Sequence, residues 1–360
     1  MQSSFIIPTR DRANELDRTI QQLGDLDPQL IGQCELIVVD NASSQTVKLP
    51  DVLSNGIEVH TVRSEQNLHT AARNLAAERA RGRWLIMLDD DSSLMPCELR
   101  QYLDSLDLSV AAVGGEIWLP DGRHESGGLP EVVVGCGCAI RREAFLGVGG
   151  YDKSFGYYAE EYDLCAKLLF KGYQVQQSRA LQFEHRKAVD GRDMDEILYR
   201  LVRNNGWVIQ RYAPIRLRDR LNANMIERYE NISQRESAVS GFIRGLQELE
   251  STLSYQPRRT LSPILWDRFT GVQAVHSRLS SLLHDQLTSK VNIIGPSEAK
   301  GREVVDQVVS NLGCELVDTQ GEGTAQIIGS ISPGPMLDLL VEHPEAITPW
   351  VMGSDSAICT

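Results

Sequence analysis

The segment WLIMLDDD at residues 84–91 limits the fold of this chain more than any other. Five apolar residues run directly into three adjacent carboxylates. A near-continuous apolar run is typical of a strand that is buried on both faces of a sheet. The three acids that follow predict that this strand ends at an edge of the sheet where a ligand binds.

The residues before this segment alternate between strand and helix patterns. Apolar residues at helical spacing predict helices at 13–23 and 67–81. Short apolar or alternating runs predict strands at 4–8, 35–40 and 56–62. This alternation predicts a parallel sheet that is covered by helices on both faces.

Polar residues follow three of these strands. They are Pro8, Thr9, Arg10 and Asp11 after the first strand, Asp40, Asn41, Ala42 and Ser43 after the second, and Asp89, Asp90 and Asp91 after WLIML. The carboxyl ends of parallel strands meet at one edge, which we call the rim. We therefore expect these side chains to lie close together.

The rest of the chain has three parts. Residues 110–190 predict strands at 110–118, 132–140, 174–177 and 180–183, and a helix at 160–172. Residues 194–289 have a helical pattern, and a βα pattern restarts at 291. We predict one domain at 1–213, a helical region at 214–289 and a small Rossmann-like α/β module at 290–360. This module lacks G-x-G-x-x-G, which favours a packing or partner-binding role.

The spacing Asp89-x-Asp91 is suited to a hard divalent cation. Mg²⁺ and Mn²⁺ prefer carboxylate oxygens and keep positions open for phosphate oxygens. A cation between a carboxylate and a diphosphate turns repulsion into attraction and stabilises the diphosphate as a leaving group. The alternative is that Asp91 and Ser92 cap a following helix.

A second acidic cluster, Glu160, Glu161 and Asp163, begins the predicted helix at 160–172. Paired carboxylates in such a place can act as general bases. Crowding by Glu160 and Asp163 raises the expected pKa of Glu161. The alternative is a solvated first turn that the helix dipole stabilises.

Several motifs together resemble the family 2 glycosyltransferases of the GT-A fold, the inverting group that includes rhamnosyl- and galactofuranosyl-transferases. The motifs lie in the family's order between residue 3 and about residue 190: FIIPTRDR, ELIVVDNAS, AARN, WLIMLDDDS, VGCGCAIRREAFLGVGGYDKSF, YYAEEYDLCAKLLFKGYQV and FEHR. The resemblance implies the nucleotide-diphospho-sugar transferase fold, a Rossmann-like mixed sheet. It does not specify the sugar.

The resemblance also implies roles for individual residues. The nucleotide would be bound by Pro8, Thr9, Arg10, Asp40, Asn41, Arg73 and Asp89, with Asn74 beside Arg73. The metal, Mn²⁺ or Mg²⁺, would be bound by Asp89, Asp91 and His185. Catalysis would fall to Glu161, or to Glu160 beside it. The donor sugar and the acceptor would be contacted by Gly149, Gly150, Tyr151 and Asp163.

Two departures from the family pattern stand out. The family usually has Asp where this chain has Glu161, and its glycine before the Arg-Asn pair is replaced by larger residues at 65–70. Because glutamate is one methylene longer than aspartate, the acceptor oxygen must lie further from the backbone of residue 161, or Glu160 acts as the base instead. The bulkier stretch predicts a different nucleotide loop.

The predicted activity is metal-dependent transfer of a sugar from a UDP-, dTDP- or GDP-linked donor to an acceptor hydroxyl, with inversion. The acceptor would be a glycan, a lipid-linked molecule or a small molecule, in polysaccharide or glycoconjugate synthesis. Two alternatives stay open, a retaining GT-A enzyme and an inactive sugar-nucleotide-binding or scaffold protein. A nucleotidyltransferase is disfavoured, because FIIPTRDR lacks a Gly-rich basic loop.

Composition limits the partners and the compartment. The formal net charge of −13 argues against non-specific nucleic-acid binding. Seven scattered cysteines predict reduced thiols and a cytoplasmic protein. No apolar run reaches the roughly 20 residues that span a bilayer, and no signal peptide is recognised. Peripheral contact with the inner membrane face and homo-oligomer formation stay open.

Overall fold

The computed structural model describes residues 1–187, 193–285, 290–318, 321 and 324–353. The predicted helical region and the predicted C-terminal module each include residues outside these ranges, and so does Cys359. The six described cysteines are unbonded thiols. Within the described residues, none of the helices combines the length and the apolar character that crossing a bilayer requires.

Eight strands form one mixed sheet in the order β3-β2-β1-β4-β7-β6-β8-β5. Their bounds are β1 Ser3–Thr9, β2 Cys34–Asn41, β3 Glu58–Ser64, β4 Trp84–Met87, β5 Ser92–Leu94, β6 Val110–Trp118, β7 Cys138–Arg141 and β8 Gln174–His185. The first four strands are parallel, whereas β7 is antiparallel to both β4 and β6. The predicted Rossmann-like mixed sheet of the GT-A fold is confirmed.

Helices cover the sheet and extend beyond it. Those of the first 213 residues are α1 Ala13–Gly24, α2 Pro28–Ile31, α3 Ala72–Arg79, α4 Leu99–Ser105, α5 Arg142–Gly147, α6 Glu160–Phe170 and α7 Met194–Tyr212. They are followed by α8 Arg218–Arg235, α9 Val239–Thr252, α10 Pro263–Phe269 and α11 Val272–Asp285. The predicted helical character of residues 194–285 is therefore confirmed.

Alternating residues of β1 explain why both faces of the sheet are covered. Phe5 and Ile7 pack in the cluster that contains Leu16 of α1, whereas Ile6 packs in the cluster that contains Ala76 of α3. Successive strand side chains point to opposite faces, so each face needs its own helical layer. The small residues of α3 let it lie close to the strands it covers.

Three local predictions were wrong. The structure has a single strand, β8, where two short strands at 174–177 and 180–183 were predicted, and β7 begins only at Cys138. No helix directly follows Asp91, because β5 begins at Ser92 and pairs with β8. The predicted capping role of Asp91 and Ser92 is thus contradicted.

A small parallel sheet follows, in the order β10-β9-β11. In the sequence, one helix lies between β9 and β10 and another follows β11. Its elements are β9 Lys290–Ile294, α12 Arg302–Asn311, β10 Glu315–Leu316, β11 Thr324–Ile328 and α13 Pro333–Glu342. We call this part the C-terminal module. The division into three domains stays a prediction.

The C-terminal module is attached to the loop after β6. Ser332 donates a hydrogen bond to the Gly127 carbonyl at 2.8 Å, and the His124 Nδ1 lies 2.5 Å from Asp338. A side chain at Gly334 would place its Cβ 2.1 Å from the Glu125 carbonyl oxygen, so only glycine permits this approach. The module therefore packs directly against residues 124–128.

Candidate active site

The carboxyl ends of β1 and β4 meet at the rim as predicted from the topology. Thr9 Oγ1 donates a hydrogen bond to Asp90 Oδ2 at 2.8 Å. Arg12 contacts two acids, with Nη1 at 2.8 Å from Asp90 and Nη2 at 2.7 Å from Asp91. Burial raises the pKa of Asp90 to about 7, although Arg12 and Thr9 lower it. Asp90, the middle acid of the triplet, thus holds the end of β4 to residues that follow or end β1.

The end of β2 holds Asp40 in a network of its own. Its carboxylate accepts hydrogen bonds from the backbone N–H of Ser43 at 2.9 Å and of Val47 at 3.3 Å, and it pairs with Arg63. Burial opposes ionisation, but these hydrogen bonds and Arg63 hold the pKa of Asp40 below its usual range. Asp40 therefore stays ionised and fixes the loop after β2.

The residues beside Asp40 differ in exposure. Asn41 is buried and accepts a hydrogen bond from the Leu68 N–H at 2.8 Å, which fixes the loop before α3. Pro8 lies within β1 and Arg10 is exposed, with Nε 3.6 Å from Asp11. Arg10 is thus free to contact a ligand at the rim, whereas Asn41 supports the backbone around it.

The Arg-Asn pair of α3 joins the rim to the loop before α6. The buried Arg73 pairs with Asp89 and donates to the Leu88 carbonyl at 3.0 Å. Asn74 donates to the Tyr151 carbonyl at 2.8 Å and accepts from its N–H at 3.0 Å. Gly150 has φ of +61°, and a Cβ there would lie 2.5 Å from Asn74 Oδ1. This double hydrogen bond explains why glycine precedes Tyr151.

His185, at the end of β8, lies between two carboxylates. Its Nε2 is 3.3 Å from Asp91 Oδ1, and its Nδ1 is 3.0 Å from Glu125 Oε2. Burial lowers the pKa of His185, but hydrogen bonds with Asp91, Cys136 and Glu125 outweigh it and raise the pKa to about 12. Glu125 orients the imidazole so that Nε2 faces the rim.

Cys136 is a further possible metal ligand beside His185. The side chains of Asp89, Cys136 and His185 have ligand atoms that all lie within 4.8 Å of one another, and Cys136 Sγ is 3.6 Å from His185 Nδ1. Sequence reasoning missed Cys136, because its spacing to Cys138 does not match a metal-binding pair. It missed Glu125 because nothing near that residue signals a site.

The donor set fits a divalent cation. Adjacent ligands of an octahedral ion with bonds of about 2.1 Å lie about 3 Å apart, which matches the gap between Asp91 Oδ1 and His185 Nε2. A carboxylate on the second histidine nitrogen, here Glu125, is the usual support of a metal-binding histidine. Asp89 and Cys136 offer a further oxygen and a further sulfur ligand close to His185.

Glu161 lies in the first turn of α6, beside the residue that precedes Cys136. Its Oε1 accepts a hydrogen bond from the Gly135 N–H at 3.3 Å. A Cβ built on Gly135 would lie 3.3 Å from Glu161 Oε1, 3.9 Å from Tyr151 Oη and 4.0 Å from Arg73 Nη2. These groups therefore converge around Gly135. Burial raises the pKa of Glu161, as expected of a general base.

Glu160 is buried, and within the described residues its Oε2 has no hydrogen-bond partner. Burial raises its pKa well above the ordinary value, and the charge of Glu161 raises it further. Only Glu161 of this pair is partly exposed. The structure thus favours Glu161 over Glu160 as the acid that a substrate can reach.

Replacing Glu160 with glutamine is expected to stabilise the fold above pH 4.5. An acid whose pKa is raised by folding stabilises the native state fully below its unfolded pKa and loses that contribution as the pH rises. Glutamine removes the ionisation, so the free energy of unfolding should increase by at least about 1 kcal/mol at pH 8. Denaturant unfolding at pH 8 and at pH 4.5 measures the difference, with the exposed Glu143→Gln as control. Equal effects at both pH values would contradict the assignment.

Asp163 lies inside the fold. Its Oδ1 accepts from Arg211 at 2.8 Å and from the Tyr212 hydroxyl at 2.7 Å, and Lys167 lies 2.9 Å from Oδ2. The carboxylate joins α6 to α7 and is buried, which differs from the predicted contact with sugar or acceptor. Gly149 is exposed at the turn before Gly150, with φ of +83°.

The chain matches known proteins over part of its length. Residues 4–126 match the family model described as Glycosyl transferase family 2. The chain is 28% identical over 211 residues to the Uncharacterized protein y4gI of Sinorhizobium fredii, covering 47% of this chain and 23% of that protein. It is 26% identical over 194 residues to an Uncharacterized glycosyltransferase of Haemophilus influenzae, covering 46% of this chain and 61% of that protein. The chain thus spans less than two thirds of either relative.

Solved structures resemble it as well. GalNAc-T7 with UDP, GalNAc and Mn²⁺ aligns with 71% of this chain and 58% of that chain, at a TM-score of 0.49 and 16% identity.

Proposed function

Because residues 4–126 match the glycosyl transferase family 2 model, we propose that this protein is a metal-dependent glycosyltransferase. It moves a sugar from a nucleoside-diphosphate donor to an acceptor hydroxyl. The observation that carries the proposal is that two groups lie at one short segment. Glu161, an acid with a raised pKa, accepts a hydrogen bond from the Gly135 N–H, and the next residue, Cys136, belongs to the group of possible cation ligands around His185.

The donor would lie along the rim between β1 and β4. Exposed Arg10 and the loop after β2, which Asp40 fixes, would contact the base and ribose. Arg73 pairs with Asp89 and lies next to Gly135, so its guanidinium connects the donor side to the catalytic side. Its buried Nε–H has no partner within the described residues, which leaves it able to donate a further hydrogen bond.

The cation would be held by His185 and Asp91, with Asp89 and Cys136 as the neighbouring ligands. When bound, Mn²⁺ or Mg²⁺ neutralises the diphosphate that departs with the nucleoside. Glu125 orients His185, and Arg12 holds Asp91 in place. The rim residues would thus bind and orient the donor, which leaves proton transfer to Glu161.

Glu161 would remove the proton from the acceptor hydroxyl as that oxygen attacks the anomeric carbon. The Gly135 N–H fixes one carboxylate oxygen, and the other stays available for the acceptor. A single displacement with Glu161 on the face opposite to the diphosphate inverts the anomeric configuration. An NMR assignment of the product anomer separates this mechanism from a retaining one.

Donor hydrolysis tests the proposed function most directly. UDP-, dTDP- and GDP-sugars are incubated with the protein in Mn²⁺ and in EDTA, and released nucleoside diphosphate is measured. We expect release from at least one donor in Mn²⁺ and none in EDTA. Binding of a donor without release in any condition would support the inactive sugar-nucleotide-binding alternative.

Replacing Glu125 with glutamine is expected to weaken Mn²⁺ binding by about 10-fold to 100-fold, because supporting carboxylates orient metal-binding histidines. Titration calorimetry with MnCl₂ measures the affinity. Glu184→Gln, on the strand that carries His185, is the control, since Glu184 accepts a hydrogen bond from Gln22 instead. Unchanged affinity in Glu125→Gln would show that His185 needs no such support or is not a ligand.

A further inference from the structure

The end of α7 and the segment before α10 lie side by side at the surface. The backbone N–H of Leu261 donates a hydrogen bond to the Tyr212 carbonyl at 2.9 Å. Arg218 Nη2 donates to Thr260 Oγ1 at 2.7 Å, and its Nε donates to the Ala213 carbonyl at 3.0 Å. Tyr212, Ala213 and Leu261 are buried, so the two segments share one inward side. Their exposed side chains therefore face outward together.

Large apolar side chains are exposed on both segments. Tyr255 is 83% exposed, Ile215 76% and Ile264 69%. These are three of the six most exposed large hydrophobic side chains among the described residues. Single exposed apolar residues are ordinary, whereas a group of them with a polar surround marks an interaction surface. The grouping in two adjoining segments thus indicates a surface that binds a partner.

Arginines surround these apolar side chains. Residues 215–220 and 255–264 contain five arginines and one aspartate, and Asp267 follows in α10. Within the described residues none of the five forms an ion pair with a carboxylate, whereas the buried Arg211 pairs with Asp163. Their charges are therefore available to an anionic partner. We define the arginine patch as the three apolar residues and the five arginines, Ile215, Arg216, Arg218, Arg220, Tyr255, Arg258, Arg259 and Ile264.

We propose that the arginine patch docks on the surface of an anionic lipid bilayer. Its guanidinium groups would bind lipid phosphates, and its apolar side chains would enter the boundary between head groups and acyl chains. Tyrosine is enriched at that depth, because its ring is apolar and its hydroxyl is polar. This inference goes beyond the proposed function and does not depend on it.

Charge complementarity argues for this partner. The formal net charge of the whole chain is −13, with 49 acids against 36 bases, but the patch itself is positive. An anionic surface would therefore attract the patch and repel the rest of the acidic chain. This difference in charge would give the protein one preferred orientation on the bilayer.

The mixing of apolar and basic side chains favours a bilayer over an acidic protein. The centre of a protein interface is depleted of charged residues. In this patch Ile215 directly precedes Arg216, and Arg258 and Arg259 lie between Tyr255 and Ile264. At a bilayer, apolar side chains insert singly while arginines keep their charged ends at the level of the phosphates.

Vesicle cosedimentation of the full chain tests the proposal, without a sugar donor or a cation. Vesicles of phosphatidylcholine alone are compared with vesicles of equal parts phosphatidylcholine and phosphatidylglycerol. One double variant, Arg216→Gln with Arg259→Gln, removes two charges of the patch. A second, Ile215→Ser with Ile264→Ser, removes two of its apolar side chains. All four side chains are exposed, so the fold should tolerate their replacement.

Two matched double variants serve as controls. Arg79→Gln with Lys171→Gln removes the same charge from exposed positions outside the patch. Leu108→Ser with Val341→Ser removes two apolar side chains that are 81% and 78% exposed elsewhere. These controls separate an effect of the patch from a general change in net charge or surface polarity.

We expect wild type to bind the anionic vesicles about tenfold or more tightly than the neutral ones, because each basic residue near such a surface contributes about fivefold. The arginine variant should lose about tenfold or more of this affinity, and the controls should stay within about twofold. The isoleucine variant should lose about fivefold or more, because its apolar side chains no longer insert. Equal binding to both kinds of vesicle, binding to neither, or equal losses in the controls would overturn the proposal.

Polyglutamate distinguishes an acidic protein partner from a bilayer. Its affinity is measured by fluorescence anisotropy with wild type and with the isoleucine variant. We expect it to bind more weakly than the anionic vesicles. Polyglutamate binding as tight as vesicle binding, with neither weakened in the isoleucine variant, would assign the patch to an acidic protein and reject the bilayer.

Discussion

Glu161→Gln is expected to lower the rate of sugar transfer by about a thousandfold, within the range that general-base catalysis contributes. Glutamine keeps the shape of the side chain and the contact with the Gly135 N–H, but it cannot accept the acceptor proton. Donor affinity should stay within about twofold, because the side chain contacts the Gly135 N–H and not the strand ends that would bind the donor. Initial rates of transfer and calorimetric titration with UDP measure the two effects separately.

Glu161→Asp provides the comparison. The resemblance implies aspartate at this position in the family, so the shorter acid should keep more activity than glutamine. The raised pKa of Glu161 also predicts that transfer increases with pH as the carboxyl ionises. Full turnover by Glu161→Gln would show that another group takes the proton, with Glu160 as the next candidate.

Asp91→Asn should have the second large effect, because it removes the carboxylate nearest to His185 Nε2. We expect Mn²⁺ affinity to fall by about 100-fold or more, since a cation of this kind needs charged oxygen ligands. Donor hydrolysis should fall to the level that the wild type shows in EDTA. Titration calorimetry with MnCl₂ and nucleoside-diphosphate release measure these changes.

Asp90→Asn is the matched control within the same triplet. Asp90 is buried and bound to Thr9 and Arg12, so its loss should leave Mn²⁺ affinity within about fivefold. Comparable losses in both variants would show that the triplet acts as one charge cluster. Strong binding in Asp91→Asn, with weak binding in Cys136→Ser, would move the cation toward Asp89 and Cys136.

The sequence predicted those site residues that directly follow a strand in the chain. WLIML ends at Asp89, Asp90 and Asp91, and these acids do lie at the rim because parallel strands bring their carboxyl ends together. The stretch at 110–118 is a strand with the predicted bounds, since nearly all of it is buried. Local pattern and topology were sufficient for these residues.

The residues that the sequence did not reveal are brought in from distant segments. Glu125 reaches His185 across 60 positions, Arg63 reaches Asp40 across 23, and Arg12 reaches Asp91 across 79. No local pattern encodes such contacts, because they depend on how the strands are ordered in the sheet. The same reason explains Asp163, whose partners lie on α7.

The middle of β8 shows how pairing within a sheet can override a local sequence pattern. The sequence predicted two strands at 174–177 and 180–183, which leaves Ser178 and Arg179 between them. In the structure β6 continues beside β8 across a register shift, and Ser178 also forms a bridge with Gly353. Long-range pairing on both sides keeps the chain extended there.

The fastening of the C-terminal module to residues 124–128 has a consequence for the smallest active form of this protein. Glu125, which orients His185, sits between His124, bonded to Asp338, and Gly127, bonded to Ser332. A chain shortened before residue 290 would keep every acid of the rim but lose the external support of this loop. We expect such a shortened chain to bind Mn²⁺ more weakly than the intact protein, although none of the possible ligands found among the described residues lies beyond residue 290.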